Sequence, residues 1–476
     1  MNLLKRFLTV ILCLSFTAGI TACKKVDTSS DTASDAREAS AFGAAFPNVD
    51  LSDGVKATDK EITLVTCLHG FEVCGTSQGW TDFTTEFRKK YPNITINVET
   101  MTNGDARLMA MIAAGNGPDI MRLSGYQEIP SLAARNLLLP LDKYFEASGV
   151  NTDDFMPVMD LYRYDGKERG KGHYYGVVKD FSFDNSIWIN KDVFKAEGIP
   201  LPSTEEPMTY DELAELARKL TVREGDTTKR FGLISTLSVQ DLVEPMLQSS
   251  GRSLWNEDGT KTTLNSKETK EALDFWAKLQ KEGVMQSTLN PINDNAGFGL
   301  LVENKAAMVI GGYWLGTGLM NYGEQNADKL MLVPSPKTAN GKTINACLAA
   351  TGCGIFSGSK NPNEAFLLLK ALFLEEENTK KRAETGWGLP GLKSCIKYLP
   401  DDSAPRKQFL DVTLKQLDNF STAPRVSNYC LYSGFSAAFD KQSNMYLYGK
   451  TTLDAAMKKV DSDVELLIEE GLDYTR

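Results

Sequence analysis

Two tryptophans stand beside glycines, a setting that an ordinary core position does not favour. Trp314 follows Gly311-Gly312-Tyr313, and Trp387 lies between Gly386 and Gly388. Glycine lets backbone come close to whatever lies beside it, so each ring is placed to offer a flat apolar face to a ligand, with packing at a surface as the structural alternative. The groups needed for covalent or metal chemistry are sparse. The chain has two histidines, His69 and His173, and no HExxH, P-loop or strand-to-helix GxGxxG; GxSxG is spelled once, at Gly75-Thr76-Ser77-Gln78-Gly79. With no second histidine or cysteine at ligand spacing, both read as local hydrogen-bonding residues of loops or the surface. Asp and Glu number 62, so a pair could converge for glycoside hydrolysis, but abundance makes that a weak signal. The chemistry implied is recognition without bond making, with no cofactor or metal.

The elements that would carry these residues begin at Glu61. Ile62 to Thr66 is a short β-rich run, Trp80, Phe83 and Phe87 recur at helical spacing, and Ile94, Ile96 and Val98 alternate. A helical stretch, Ala106 to Ala114, leads through Gly115-Asn116-Gly117-Pro118-Asp119 into Ile120-Met121. Strands alternating with helices imply an α/β fold with a parallel sheet, whose ligands gather at the carboxyl ends of strands. The loops after Thr66 and after Met121 are thus candidate ligand loops, which brings in Trp80, Tyr126 and Gln127. The spacing of Trp80 to Phe83 and Phe87 equally suits a buried stripe. Later helices are well signalled: Thr209 and Glu212 form a capping-box pattern, and Asn361-Pro362 precedes Ala365, Leu368, Leu369 and Leu372 on one face. Ala272, Phe275, Trp276 and Leu279 make a core stripe, and Glu375-Glu376-Glu377 reads as a solvated helix end.

The first 23 residues read as an export and anchoring signal. Lys5 and Arg6 precede an apolar run from Phe7 to Phe16, too short to span a membrane. Ile20-Thr21-Ala22-Cys23 resembles the bacterial lipobox, which implies acylation of Cys23; the alternative is a secreted protein cut after Ala22. Acyl chains contribute about 0.8 kcal/mol per buried methylene and would hold the protein at the membrane surface. Lys24 to about Lys60 is rich in Ser, Thr, Asp and Ala and reads as a flexible tether.

The formal charge is -10, and removing Lys5 and Arg6 takes it to about -12, which argues against nucleic acid or anionic lipid as a partner. Six cysteines remain after Cys13 and Cys23: Cys67, Cys74, Cys347, Cys353, Cys395 and Cys430. An even number in an exported chain favours disulfides, and the absence of CxxC spacing makes zinc a poor fit.

A series of segments in fixed order resembles the extracellular solute-binding proteins of family 1, lipoprotein receptors that deliver sugars to bacterial ABC importers. Phe83-Thr84-Thr85-Glu86-Phe87 with Tyr91-Pro92-Asn93-Ile94 is similar to the first helix and second strand of the family, and Gly117-Pro118-Asp119-Ile120 to its Gly-Pro-Asp turn. Tyr174-Tyr175-Gly176-Val177 and Trp188-Ile189-Asn190-Lys191-Asp192-Val193-Phe194 resemble the crossover into the second lobe. Pro207 to Leu213 resembles a Pro-x-Thr-Trp-Asp-Glu-Leu stretch with Tyr210 in place of Trp, and Asn304-Lys305-Ala306-Ala307-Met308 resembles the segment leading to a glycine-aromatic ligand loop.

The resemblance implies a type II two-lobed clamp of the periplasmic-binding-protein kind, with discontinuous lobes and three hinge crossings, near Val177 to Asp180, Val333 to Pro336 and Thr385 to Ser394. The expected order is a signal peptide over 1–22, a tether over 23–60, lobe I over 61–178 and 337–385, and lobe II over 179–336 and 386–476. That partition pairs Cys395 with Cys430. It implies a carbohydrate ligand, an oligosaccharide above all, with Asp180, Asp184, Tyr126 and Gln127 on its polar rim, Trp314, Tyr313 and Trp387 against its faces, and Tyr432 closing over it. The partners implied are ABC permease subunits and, through the lipid, the membrane; the protein is expected to be an extracytoplasmic monomer. A tethered hydrolase and a receptor for a glycerophosphodiester or peptide are the alternatives. Replacing Cys23 by serine should move the protein from the membrane fraction to the soluble fraction, as fractionation and immunoblotting would read; retention on the membrane would refute the lipid anchor.

Overall fold

The computed structural model describes residues 49–68, 70–99, 106–292, 297–348, 350–417, 420–421 and 425–475. The signal segment, Cys23, most of the expected tether and His69 lie outside the described residues. The described residues belong to one compact unit, Asn48–Arg476. The end of the stretch expected to be a tether is held by that unit: the Thr58 N–H donates to Glu364 Oε1 at 2.6 Å and the Asn363 amide to the Lys56 carbonyl at 3.1 Å.

Along the chain, β1 (Ile62–Cys67), β2 (Ile94–Val98) and β3 (Ile120–Ser124) alternate with α1 (Gly70–Val73), α2 (Ser77–Lys90), α3 (Ala106–Ala113) and α4 (Gly125–Ala134). A hairpin, Arg163–Tyr164 with His173–Tyr174, precedes β4 (Val177–Val178), β5 (Asp180–Phe181) and β6 (Ile187–Asn190). There follow α5 (Tyr210–Leu220), β7 (Val222–Glu224), β8 (Thr227–Ser235), α6 (Val239–Ser249), α7 (Lys267–Lys281), β9 (Ala306–Ile310) and β10 (Leu330–Val333). The chain returns through β11 (Asn345–Ala346), β12 (Thr351–Ile355), α8 (Pro362–Phe373), α9 (Glu376–Ala383) and β13 (Leu389–Pro390). It ends with α10 (Ala404–Leu417), β14 (Phe420–Ser421), α11 (Tyr432–Leu447) and α12 (Leu453–Thr475).

These strands build two five-stranded sheets, β2-β1-β3-β12-β4 and β10-β6-β9-β8-β7. In the first, β1 pairs with β2 and β3 in parallel, and β12 enters antiparallel between β3 and β4. In the second, β8 and β9 are parallel neighbours, each flanked on its other side by an antiparallel strand, β7 and β6. Two short ladders lie between the sheets, β5 with β13 and β11 with β14. Each sheet is the centre of one lobe, and both lobes are discontinuous in sequence.

Local chemistry accounts for several element starts. Thr209 Oγ1 accepts from the Glu212 N–H at 3.1 Å and Glu212 Oε2 accepts from the Thr209 N–H at 2.7 Å, the reciprocal box that the sequence predicts. Ser266 caps α7 through the Thr269 N–H at 3.1 Å. The stripe Ala272, Trp276 and Leu279 is buried in the second core beside Leu213, Ala217, Phe435, Phe439 and Val464, which settles Trp276 as structural. Asn361 precedes α8 without a side-chain cap, and Pro362 at its first position supplies the start instead.

The third crossing falls a little later than Thr385 to Ser394, because Lys393 Nζ still donates to the Asp153 carbonyl at 2.8 Å and the Ser394 N–H to Asp154 Oδ1 at 2.8 Å, both in the first lobe. Only with α10 does the chain join the second sheet, through the Leu332 N–H to Gln408 Oε1 at 3.0 Å. This overturns the expected Cys395–Cys430 bond. Cys395 is buried in the turn Lys393–Tyr398 on the first lobe, while Cys430 is buried in the core of the second. All six described cysteines are buried thiols. Burial pushes the thiols of Cys74, Cys353 and Cys430 up to about 12, so they are poor nucleophiles. Unreduced protein, denatured and titrated with a thiol reagent, should therefore yield all six thiols; a deficit of two would mark a disulfide.

Candidate ligand cleft

The two lobes meet around a cavity of roughly 390 Å³. The first lobe lines it from α3 with Leu108 and Ile112 and from α4 with Gln127, Glu128, Ser131 and Leu132; the second lines it from α11 with Tyr432, Ser433, Ser436 and Asp440. The result is an apolar floor under a rim of amide, hydroxyl and carboxylate groups. Two helices with clear sidedness produce it. On α11, Phe435 and Phe439 point into the second core while Tyr432, Ser436 and Asp440, four residues apart, follow the adjoining face. On α4, Glu128 Oε2 accepts from the Ser124 N–H at 2.7 Å and fixes the helix start. Tyr126 stands in the first turn of α4 beside Gln127; its side chain is outside the described residues.

Tyr432 is held rather than loose, its hydroxyl donating to Asp241 Oδ1 at 2.6 Å while Ser238 Oγ donates to Asp241 Oδ2 at 2.5 Å. Burial and the nearby Asp241 carboxylate push the Asp440 carboxyl above the usual range. Behind this wall Glu244 accepts from Ser253 Oγ at 2.7 Å, the Leu254 N–H at 2.6 Å and Gln248 Nε2 at 3.0 Å. Burial nonetheless pushes its carboxyl up to about 7. Away from the short ladders, Arg135 Nη2 donates to the Tyr429 carbonyl at 2.7 Å and Asn428 Nδ2 to the Lys167 carbonyl at 2.9 Å, so the rims of the lobes touch.

Trp314 and Asp184 come together beside the first crossing. The half-buried indole donates to Asp184 Oδ1 at 3.2 Å, Ser182 Oγ donates to the same oxygen at 3.1 Å, and the Leu348 N–H donates to Asp184 Oδ2 at 2.9 Å. A side chain on Gly312 would place its Cβ 2.0 Å from Ser182 Oγ and 2.8 Å from Asp184 Oδ1. Glycine is therefore required for the pair to form. Asp184, 2 % exposed, orients the ring and ties it to the second crossing. Tyr313 is buried, its hydroxyl pushed up to about 12 by that burial, close to Gly386. Trp387 is half-buried between Gly386 at φ +71° and Gly388 at φ +123°, with the Arg382 guanidinium 5.9 Å from its ring centroid.

Asp180 does a different job. Its Oδ1 accepts from Thr351 Oγ1 at 2.7 Å, and its Oδ2 pairs with Arg382 and, at 3.5 Å, with Lys179. Lys179 Nζ also meets Glu72 Oε1 at 2.5 Å, and Arg122 grips Glu72 with two bonds at 3.1 and 2.7 Å. Arg382 donates to the Glu72 carbonyl as well. Burial pushes the Glu72 carboxyl up, but Lys179 and Arg122 overcome this and hold it well below the carboxylate range. The Lys179 ammonium is pushed well down by burial and by Arg382. Both oxygens of Asp180 are engaged at the hinge. Trp80 packs on the other side of α1: half-buried, it stacks on Phe83 at 5.9 Å and lies where a Cβ on Gly70 would come within 2.8 Å of its ring.

The structure thus gathers Gln127 and Tyr432 at one cavity, Asp184 with Trp314 at one crossing, and Asp180 with Trp387 around Arg382. It adds Ser436 and Asp440, which sequence reasoning missed although the four-residue spacing from Tyr432 was available. It also adds the charges Glu72, Arg122 and Lys179, whose partners lie far apart in sequence.

The profile of the bacterial extracellular solute-binding proteins matches residues 75–379. This chain belongs to that family. Among its relatives, a lactose-binding protein of Rhizobium radiobacter is 23 % identical over 320 residues, covering 64 % of this chain and 69 % of that one. An uncharacterised ABC transporter extracellular-binding protein of Pyrococcus horikoshii is 24 % identical over 254 residues, 52 % of this chain and about half, 54 %, of the relative. Among solved structures, an ABC substrate-binding protein of Listeria monocytogenes in complex with cycloalternan superposes with a TM-score of 0.71 at 23 % identity, covering 87 % of this chain and 100 % of that one. At such identities the superposition carries the family's type II clamp fold, and the profile carries the membership.

Two acid groups give opposite pH signatures. Glu72 is depressed in the folded state, so its contribution is present above the ordinary carboxylate pKa and fades as pH falls below about 4. Glu72→Gln should cost about 3 kcal/mol at pH 7, since it leaves Lys179 and Arg122 buried without their shared partner, and should flatten the acid limb of denaturant-derived stability. Glu244 is raised to about 7, so its contribution is lost as pH climbs through that value. Glu244→Gln should remove that loss between pH 5 and 8; an unchanged profile would refute the assignment.

Proposed function

We propose that this protein is the lipid-anchored substrate-binding component of an ABC importer and that it captures a carbohydrate in the cavity between its lobes. The observation that carries the reading is the cavity itself: one apolar floor, with Gln127 and Ser131 from one lobe facing Tyr432, Ser436 and Asp440 from the other. A sugar has apolar C–H faces and a rim of hydroxyls, and that lining answers both. Trp314 and Trp387 add aromatic planes at the crossings, supported by their glycine neighbours and their partial exposure. The ligands of two similar proteins, a lactose-binding protein and a substrate-binding protein in complex with cycloalternan, agree in class.

Capture would proceed by closure. A solute touching both lobes favours the closed arrangement by its differential affinity for the two states. The rim bonds from Arg135 and Asn428 add to that state without touching the solute, and a membrane permease reads the closed shape. Specificity comes from the rim, because a sugar lacking a matching hydroxyl leaves a buried polar group unpaired at about 1 to 3 kcal/mol. No bond in the solute is broken, and the acyl chains on Cys23 keep the monomer on the outer side of the membrane.

Thermal unfolding against mono- and oligosaccharides tests this. A ligand at 100 times its dissociation constant should add about 2.7 kcal/mol to stability, and chromatography should recover it intact. Trp314→Ala should weaken binding by tenfold or more with little change in the ligand-free unfolding midpoint. No shift with any sugar would send the search to other solutes, and a cleaved sugar would replace the transport reading by the hydrolase.

A further inference from the structure

Asp440 lines two cavities. On its far side from the interlobe cleft lies a second space of roughly 310 Å³, lined by the second lobe from Ser238 at the start of α6, Gln280 on α7, the loop at Gln286 to Thr288, and Ser443 and Asn444 on α11. The helical repeat explains the connection: Ser436, Asp440 and then Ser443 and Asn444 follow one another at steps of three and four along α11. A polar stripe therefore runs from one cavity into the other. From Ser433 to Asn444 it extends about 16 Å at 1.5 Å per residue. Each cavity alone is near the small end of the range of ligand sites, about 300 to 1,000 Å³.

Two buried polar groups on or beside this stripe await a partner. The Ser443 hydroxyl is buried, in a residue 8 % exposed, and has no hydrogen-bond partner among the described residues. Gln240, 2 % exposed, donates from Nε2 to Ser436 Oγ at 2.5 Å and leaves its Oε1 without one. Asp440, half-buried at the junction of the two cavities, stands near the like-charged Asp241. The neighbouring groups are, by contrast, engaged: Thr288 Oγ1 donates to Asn444 Oδ1 at 2.8 Å, and Gln286 bonds both the Ser235 N–H at 3.2 Å and its carbonyl at 2.7 Å. A buried hydroxyl left unpaired costs about 1 to 3 kcal/mol, so a donor-and-acceptor ligand at Ser443 recovers that cost.

We propose that the second cavity is a further sugar subsite, so that the protein takes an oligosaccharide laid along α11, with one unit in the interlobe cavity, Asp440 accepting hydroxyl protons at the junction, and the next unit hydrogen-bonded to Ser443. This rests on the carbohydrate reading above. Isothermal titration of the purified full-length protein with maltose and maltotriose, mannobiose and mannotriose, lactose, and the component monosaccharides tests it. The oligosaccharide of whichever series binds should exceed its monosaccharide by tenfold or more in affinity. Ser443→Val should erase most of that increment while leaving the unfolding midpoint unchanged or higher, since it removes an unpaired hydroxyl. Ser287→Trp, which fills the same cavity from a loop, should do likewise and serves if the first variant fails to fold. Equal affinity for monosaccharide and oligosaccharide, or an increment that survives either folded variant, would overturn the subsite. Binding by no sugar of any length would overturn instead the carbohydrate reading beneath it.

Discussion

Five charges taken out of water at the first crossing fix the geometry on which the remainder of the molecule depends. Three cations, Arg122, Lys179 and Arg382, share two carboxylates, Glu72 and Asp180. Such groups are tolerated in an interior only when each faces an opposite partner in good geometry. The five come from α1, β3, the crossing itself and α9, so four segments distant in sequence are registered against one another at a point. The ladder of β5 with β13 starts from this point. The direction in which the chain leaves the first sheet, and with it the placement of Trp387 and of the second lobe, follows from where those ions can meet.

On the opposite wall of the cleft, one helix serves two environments. Phe435 of α11 packs 5.0 Å from Trp255 and 5.8 Å from Phe439, which anchors the helix in the core. The same anchoring holds the polar face toward the first lobe, and the Tyr432–Asp241–Ser238 chain of hydrogen bonds locks α11 to α6. A rim built on an amphipathic helix is more rigid than one built on loops, which suits a site that must discriminate hydroxyl positions.

Much of the scaffold was legible because its signals are local. The Thr209–Glu212 box, the apolar stripes of α7 and α8, the β-rich run of β1 and the alternation of β2 depend on residues a few places apart, and the ordered motifs from Phe83 to Met308 carry the family. What escaped depends on residues brought together from afar. Asp180 and Asp184, two carboxylates four residues apart, look alike in sequence, yet Thr351 and Arg382 claim the first while Trp314 and Leu348 claim the second. Asp440 on a helix surface reads as solvated until α4 and α11 are seen to enclose a cavity. Cys395 was assigned to the wrong lobe because the residues that hold its turn, Asp153 and Asp154, give no hint of it in the chain. β12, with two glycines in Thr351–Ile355, has little strand signal; Gly352 is needed there because a Cβ would sit 2.0 Å from the Val177 carbonyl.

That glycine-rich strand also orders events in time. Ser124 faces Thr351 across the first sheet, and everything that builds the second sheet lies between them. Strands of the second sheet are contiguous from Ile187 to Val333, so the middle of the chain can close its own ladder while β3 still lacks its second neighbour. Pairing over so long a separation carries a larger loop-closure cost and is slow. The first three strands can pair with one another, but the first sheet gains β12 and, through it, β4 only once Thr351–Ile355 is available.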